Sequence, residues 1–266
     1  MIQLFNGDCL EVMQDIPDNS IDLVVTSPPY DNLRDYNGYR LDLHKTGKEL
    51  HRILKNGAVC CIVMQDQTKN FAKSLTSFRT ILDWVDNIGF KLFETVIYKK
   101  NGISGAWWNQ RFRVDHEYIF ILFKGDKPNY FDKEHLKIAT IHSGRKLKSG
   151  GNRKKDGNIT KGYEKIVSET KCRGTIWDYT KVKKPIIKRE HPATFPDEIP
   201  YDLIKCFTRE NEIVLDPFVG SGTTMVQAKL LNRNSIGIDV SKEYIELCKI
   251  RLDEVSGHRI QEASKS

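Results

Sequence analysis

The chain has 266 residues, 39% hydrophobic and 29% charged, enough to bury a full core as one α/β domain with an insertion or as two modest domains. No stretch has the length and apolarity of a membrane span, and Met1–Asp8 turns polar too early for a secretory leader, so a cytoplasmic location is expected. The net charge of +7 is unevenly placed: residues 133–190 hold 17 Lys/Arg against 6 Asp/Glu, the rest is mildly acidic, and so localised a cationic stretch is the footprint of contact with a phosphate backbone.

In chain order, short apolar runs bounded by turn residues read as buried strands at Ile21–Val25, Ala58–Met64, Phe93–Tyr98, Tyr118–Phe123, Ile213–Leu215 and Ser235–Ile238. They are nearly continuous rather than alternating, as in a sheet covered on both faces. Helical spacing marks Leu41–Leu54, stopping at Asn56-Gly57, then Phe71–Val85, Ile199–Phe207, Thr223–Leu231 and Lys242–Leu252, the last with Asp239 or Ser241 as cap and Tyr244, Leu247, Cys248 and Leu252 on one apolar face. Alternation of strand and helix predicts a largely parallel α/β sheet. The run Phe93–Phe123 contains no clear helix and reads as an antiparallel hairpin at one edge. Residues 140–175 are turn-rich, core-poor and basic: a linker, or an element ordered by a polyanionic partner. The tail Ser256–Ser266 is polar. Cys9, Cys60, Cys61, Cys172, Cys206 and Cys248 form no C-x-x-C pair, so neither a disulfide framework nor a metal site is expected, and the thiols read as reduced and mostly buried.

Two segments carry chemistry. Glu212–Leu215 feeds into Asp216-Pro217-Phe218-Val219-Gly220-Ser221-Gly222-Thr223-Thr224, and a helix pattern follows. A strand, a glycine turn and a helix let backbone approach a ligand closely and aim free N–H groups at it. About twenty residues on, Ser235–Ile238 ends in Asp239, a carboxylate able to accept both hydroxyls of a ribose. The turn lacks the lysine of a P-loop and begins with an acid, so a pyrophosphate would be poorly held. A ligand with ribose and adenine but a cationic tail fits better, and S-adenosylmethionine is such a molecule. The other segment is Thr26-Ser27-Pro28-Pro29-Tyr30. Two prolines stop the preceding strand and leave carbonyl acceptors unpaired, an exocyclic amino group supplies matching donors, and Tyr30 offers a stacking face.

These two segments, in this order, resemble the motifs of the S-adenosylmethionine-dependent DNA amino-methyltransferases of the beta group. The similarity extends to Gly7-Asp8-Cys9-Leu10-Glu11, to His116–Phe123 and to His191-Pro192-Ala193-Thr194-Phe195-Pro196. The resemblance implies a Rossmann-like, seven-stranded, mostly parallel sheet with a terminal antiparallel hairpin and an inserted target-recognition region. It divides the chain into a catalytic part at 1–129, a basic recognition insertion at 130–190, a cofactor-binding part at 191–256 and a flexible tail at 257–266. Asp8, His191, Pro192, Phe195, Asp216, Phe218, Gly220, Gly222, Thr223 and Asp239 would surround S-adenosyl-L-methionine. Ser27, Pro28, Pro29 and Tyr30 would hold the base.

The implied reaction is methyl transfer to a base flipped out of double-stranded DNA, within a restriction-modification system. Serine at the first position of the catalytic motif is commonest in cytosine-N4 members, which favours that base. An adenine-N6 enzyme of the same group is the alternative, and a non-catalytic DNA-binding module a distant one. Arg111, Arg113, Arg145, Lys146, Lys148, Arg153, Lys154 and Lys155 are the candidate DNA contacts, with Trp107 and Trp108 as core residues or as fillers of the vacated stack. A cognate restriction endonuclease and a second copy of the chain are the other partners this assignment leaves open.

Overall fold

The computed structural model describes residues 1–29, 41–100, 112, 114–160, 162–179 and 196–263. The strands are β1 (Ile2–Asn6), β2 (Ile21–Thr26), β3 (Leu54–Met64), β4 (Thr68–Lys69), β5 (Ala72–Lys73), β6 (Lys91–Lys99), β7 (His116–Phe123), β8 (Lys137–Ala139), β9 (Lys146–Ser149), β10 (Tyr163–Ile166), β11 (Thr170–Cys172), β12 (Ile176–Asp178), β13 (Ile213–Asp216) and β14 (Asn234–Asp239). The helices are α1 (Cys9–Gln14), α2 (Leu43–Ile53), α3 (Thr76–Asp83), α4 (Glu198–Phe207), α5 (Thr223–Leu230) and α6 (Lys242–Ala263).

The main sheet has the order β1-β14-β13-β2-β3-β7-β6-β12. From β1 to β3 every neighbouring pair is parallel, whereas β7 runs antiparallel to both β3 and β6. The predicted hairpin is therefore present, and a short eighth strand, β12, adds to β6 in parallel. Central strands are buried on both faces because helices cover both: Met13, Leu50, Ile53, Ile81 and Trp84 of the α1–α3 side pack on Val24, Cys60, Ile62 and Leu122. Opposite them, Met225, Ile245, Cys248, Leu252 and Val255 of α5 and α6 pack with Ile2 and Leu4 of β1.

Several elements differ from the sequence reading for local reasons. α2 ends at Ile53 and the chain enters β3 at once; Asn56-Gly57 is not a helix stop but a bulge, where the pairing with β2 jumps from Ile21↔Leu54 to Leu23↔Val59 and Gly57 takes φ +79°. Residues 68–73 form a small hairpin through positive φ at Asn70 and Phe71, so α3 starts only at Thr76. β1 and the short α1 after it carry no clear signal in the sequence, because an edge strand half in water has no long apolar run. Ile245, rather than Tyr244, starts the buried stripe of α6 that continues through Cys248, Leu252 and Val255; Leu247 is only half-buried, and the helix runs past Leu252.

Backbone contacts divide the chain into residues 1–132 with 175–266, which hold the main sheet, and residues 133–174, which hold the two small sheets β8–β11 and β9–β10. No described helix is long and apolar enough to cross a membrane, and among the described residues no cluster of His, Cys, Asp and Glu could hold a metal ion. Cys172 is exposed and the other five cysteines are buried, all as free thiols.

Arg52 anchors the entry to this sheet. Its guanidinium donates to Met13 O at 2.7 Å and Ile16 O at 3.0 Å, satisfying carbonyls at the end of α1, and is itself held by Glu49 and Asp18. Arg52→Ala is expected to lower the unfolding free energy in urea by about 2 kcal/mol, since it strips partners from half-buried acceptors. Lys45→Ala, at an exposed pair with Asp42, is expected to change it by less than about 0.5 kcal/mol.

Candidate functional site

Four parallel strands deliver their C-terminal ends to one edge of the sheet. The register aligns Asn6 with Asp239, Asp216 with Gly237 and Leu215 with Val24. Asp8, Ser27, the turn after Asp216 and Asp239 therefore lie along the same edge. From β13 one neighbour, β14, is reached through α5 and the other, β2, only through the rest of the chain. The crevice between β13 and β2 is thus the point where strand order reverses, which is where open α/β sheets bind ligands.

A buried side-chain hydrogen bond helps tie the two halves of that crevice together: Thr26 Oγ1 donates to Asp216 Oδ1 at 2.7 Å, with both side chains buried. Phe218 N–H donates to the same oxygen at 3.1 Å, and Thr224 Oγ1 reaches back to Val25 O at 3.3 Å. Burial pushes the Asp216 carboxyl up to about 6 despite the opposing Thr26, Thr224 and Phe218 donors, and the charge of Asp239 pushes the same way. Directly after Thr26, Ser27 and Pro29 are half-buried and Pro28 is buried.

The glycine turn is built by its neighbours. Gly220, at φ +49°, donates its N–H to Asp239 Oδ2 at 2.9 Å, and Ser241 N–H donates to Oδ1 at 2.8 Å. Burial raises the Asp239 carboxyl above the ordinary range, against these two donors. Gly222 has φ +82°, and a Cβ there would stand 2.3 Å from Cys248 Sγ. At Gly220 a Cβ would meet nothing nearer than Phe218 O at 3.9 Å, so the turn offers bare backbone beside open space. Gly7 N–H donates to Asp239 O at 3.0 Å, and Asp8 caps α1 by accepting from Leu10 N–H at 2.8 Å. An edge with three carboxylates, N–H groups and no lysine in its turn suits a polyhydroxyl ligand with a cationic part and disfavours a pyrophosphate.

Not every expected residue can be placed. Tyr30, His191, Pro192, Phe195, Trp107, Trp108, Arg111 and Arg113 lie outside the described residues. Arg145, Lys146, Lys148, Arg153, Lys154 and Lys155 belong to the unit at 133–174. Two supporting side chains, one behind the glycine turn and one away from it at α3, were not singled out by sequence reasoning. Arg251 of α6, 3% exposed, donates from Nη1 to Ser221 O at 2.6 Å, Ser221 Oγ at 3.1 Å and Thr223 Oγ1 at 3.3 Å. Asp66, just past β3, holds α3 by accepting from the N–H and the hydroxyl of Ser77 at 2.9 Å each. An arginine in a helix and an aspartate in a loop give no periodic signal; pairing of Thr26 and Thr224 with distant partners was equally invisible, although both stand inside the recognised motifs.

A family model described as DNA methylase, N6_N4_Mtase, matches residues 21–249. The chain is similar to the orphan methyltransferase M.BamHII of Bacillus amyloliquefaciens, with 38% identity over 244 residues covering 90% of this chain and 91% of that protein. Among solved structures it resembles the PvuII DNA methyltransferase (cytosine-N4-specific), with a TM-score of 0.71 at 19% identity over 96% of this chain and 90% of that one. The M1.HpyAVI-SAM complex gives a TM-score of 0.63 at 23% identity over 95% and 99%. At such identities these two likenesses are of fold.

The buried pair yields a pH prediction. Asp216 is more basic in the folded chain, at about 6, than its ordinary 3.8, so between those values the native state holds a proton that the unfolded state has lost. Stability from this group falls as pH rises through that window, by about 3 kcal/mol in all. Asp216→Asn keeps an acceptor for Thr26 but cannot ionise; its stability relative to the parent is expected to improve by about that amount between pH 4 and 7 in urea melts, and parallel profiles would refute this account. Thr26→Val, which leaves the carboxylate one donor short, is expected to cost about 2 kcal/mol at pH 8.

Proposed function

The chain belongs to the N6/N4 DNA methylase family and is a DNA methyltransferase; within that family we propose that it uses S-adenosyl-L-methionine to methylate the exocyclic N4 of a cytosine turned out of double-stranded DNA. The observation that carries this reading is the Thr26–Asp216 hydrogen bond, which holds the start of Ser27-Pro28-Pro29-Tyr30 against the start of the glycine turn. A base resting on the first segment would lie beside a cofactor resting on the second.

S-adenosyl-L-methionine, when bound, supplies an electrophilic methyl group on a sulfonium. Asp239, fixed by Gly220 and Ser241, offers its remaining lone pairs to the ribose hydroxyls. The bare backbone at Gly220, with Gly222 and Thr223 closing the turn, lets the ligand lie close. Phe218, half-buried, offers an apolar wall, and Asp8 an acceptor, to the adenine; the resemblance assigns His191, Pro192 and Phe195 to the same cofactor. Asp216 acts through Thr26 and Phe218 rather than by touching the cofactor, since its carboxylate is buried among those donors.

On the substrate side, the amino lone pair of cytosine is delocalised into its ring and is a poor nucleophile. The Ser27 hydroxyl and the Pro28 carbonyl accept the two amino hydrogens, draw the nitrogen towards sp³ and aim its lone pair. Positive charge grows on that nitrogen during transfer, so the same acceptors bind the transition state more strongly than the ground state. Stacking on Tyr30 offsets the few kcal/mol that base flipping costs. Ser27 is neutral, and serine at this place favours cytosine.

Incubation with labelled cofactor and plasmid, followed by digestion to nucleosides, is expected to give N4-methylcytosine. N6-methyladenine would overturn the choice of base, and no methylated nucleoside at all would overturn the reaction. Tyr30→Ala is expected to slow methyl transfer at least tenfold with little change in cofactor affinity, while Asp239→Ala is expected to weaken cofactor binding first; unchanged turnover in Tyr30→Ala would remove the stacking role.

A further inference from the structure

The unit at 133–174 is one long antiparallel ribbon. β8 pairs with β11, Thr140 N–H donates to Glu169 O at 2.8 Å, Gly144 N–H to Val167 O at 2.9 Å, and β9 pairs with β10. Pairing then continues beyond the strands, with Thr160 N–H on Asn152 O at 2.9 Å and Lys154 N–H on Asn158 O at 2.7 Å, and closes at Lys154–Gly157, where Gly157 has φ +86°. Leu147 and Tyr163, which the register puts on one face, are 46% and 61% exposed, and Ile166, on the opposite face, is 62% exposed. Among the described residues the sheets of this unit have two strands each, and two-stranded pairing by itself is marginal in water, so its exposed apolar side chains call for a partner.

The sequence says which kind. Residues 144–167 hold eight Lys/Arg against two Asp/Glu, the complement of a polyanion. The register separates two faces. Lys146 lies opposite Ile166 and Lys148 opposite Glu164, and that glutamate sits 2.7 Å from Lys148 Nζ. On the other face Leu147 lies opposite Lys165, and Ser149 opposite Tyr163, with no carboxylate among them. Strands ~4.8 Å apart make a ribbon that a major groove about 12 Å wide admits.

We propose that this ribbon enters the major groove of the DNA that the enzyme methylates, with Leu147, Tyr163 and Lys165 toward the base edges and Arg153, Lys154 and Lys155 of its turn on phosphates. The face carrying Glu164 points away from the bases. Lys165 is suited to the acceptors of a guanine, while Leu147 and Tyr163 are suited to thymine methyl groups. The proposal rests on the chain acting on DNA and goes beyond it by naming the reading face.

The test uses the whole protein, a randomised duplex library, gel shifts and sequencing of the sites modified. Lys165→Met is expected to relax one position of the target by about tenfold, and Tyr163→Ala another, while Lys146→Met on the opposite face keeps the parent's set of sites. R153Q/K154Q/K155Q is expected to keep that set but weaken every duplex, and to reduce the slope of log K against log salt by about 2–3. Relaxation by Lys146→Met, or an unchanged set and affinity in both Lys165→Met and Tyr163→Ala, would overturn the proposal. So would protection of residues 146–149 from hydrogen exchange by self-association rather than by DNA, which would make a second copy the occupant. Should the parent methylate no duplex, the reaction assignment fails, and the gel shifts still judge the ribbon: loss of sequence preference in Lys165→Met supports it and retention refutes it.

Discussion

Thr26 and Asp216 stand 190 positions apart in the chain, yet their side chains meet at 2.7 Å in a place closed to water. The strands that carry them share two paired rungs, Val214↔Leu23 and Leu215↔Val24, and no short connection joins them. Strand twist would let such ends splay. A buried bond to a carboxylate, stronger in low dielectric than at the surface, fixes the distance instead. Because the same oxygen accepts from Phe218 N–H, the interaction that places Ser27 and Pro28 also shapes the start of the turn beside them. Burial of Asp216 costs free energy, and the fold retains that cost where geometry matters most.

Asp239 performs the equivalent service one strand further along, gathering N–H groups from Gly220 and Ser241 while its backbone carbonyl receives Gly7. Arg251 supports the turn from behind through Ser221 and Thr223. The edge is thus assembled from backbone and short side chains on rigid elements, with few long side chains able to wander. That is the kind of framework on which reacting groups keep their alignment.

The central strands were legible because burial on both faces leaves a continuous apolar run, as in Ile21–Val25 and Ala58–Met64, whereas the polar start of β3 at Leu54–Gly57 was not. The glycine turn was legible because few residues but glycine adopt its dihedrals. Asn56-Gly57 shows the limit: the dipeptide announces a reversal without saying whether a helix ends or a strand bulges, and only the pairing with β2 decides. The hairpin at 68–73 depends on positive φ at Asn70 and Phe71, which nothing in their side chains demands. The basic stretch was rightly read as lacking a core, but its pairing stayed hidden because strands that bury no face show no alternation. Arg251 is a cation on a helix, and its inward direction is a tertiary fact.

Cys248 fills the space that any side chain at position 222 would claim. Burial pushes its thiol up to about 12, so at neutral pH the sulfur stays protonated and inert while α6 lies against the turn. Alkylation of this sulfur therefore requires α6 to move off the turn, so the thiol is a natural reporter of the contact between the last helix and Gly222.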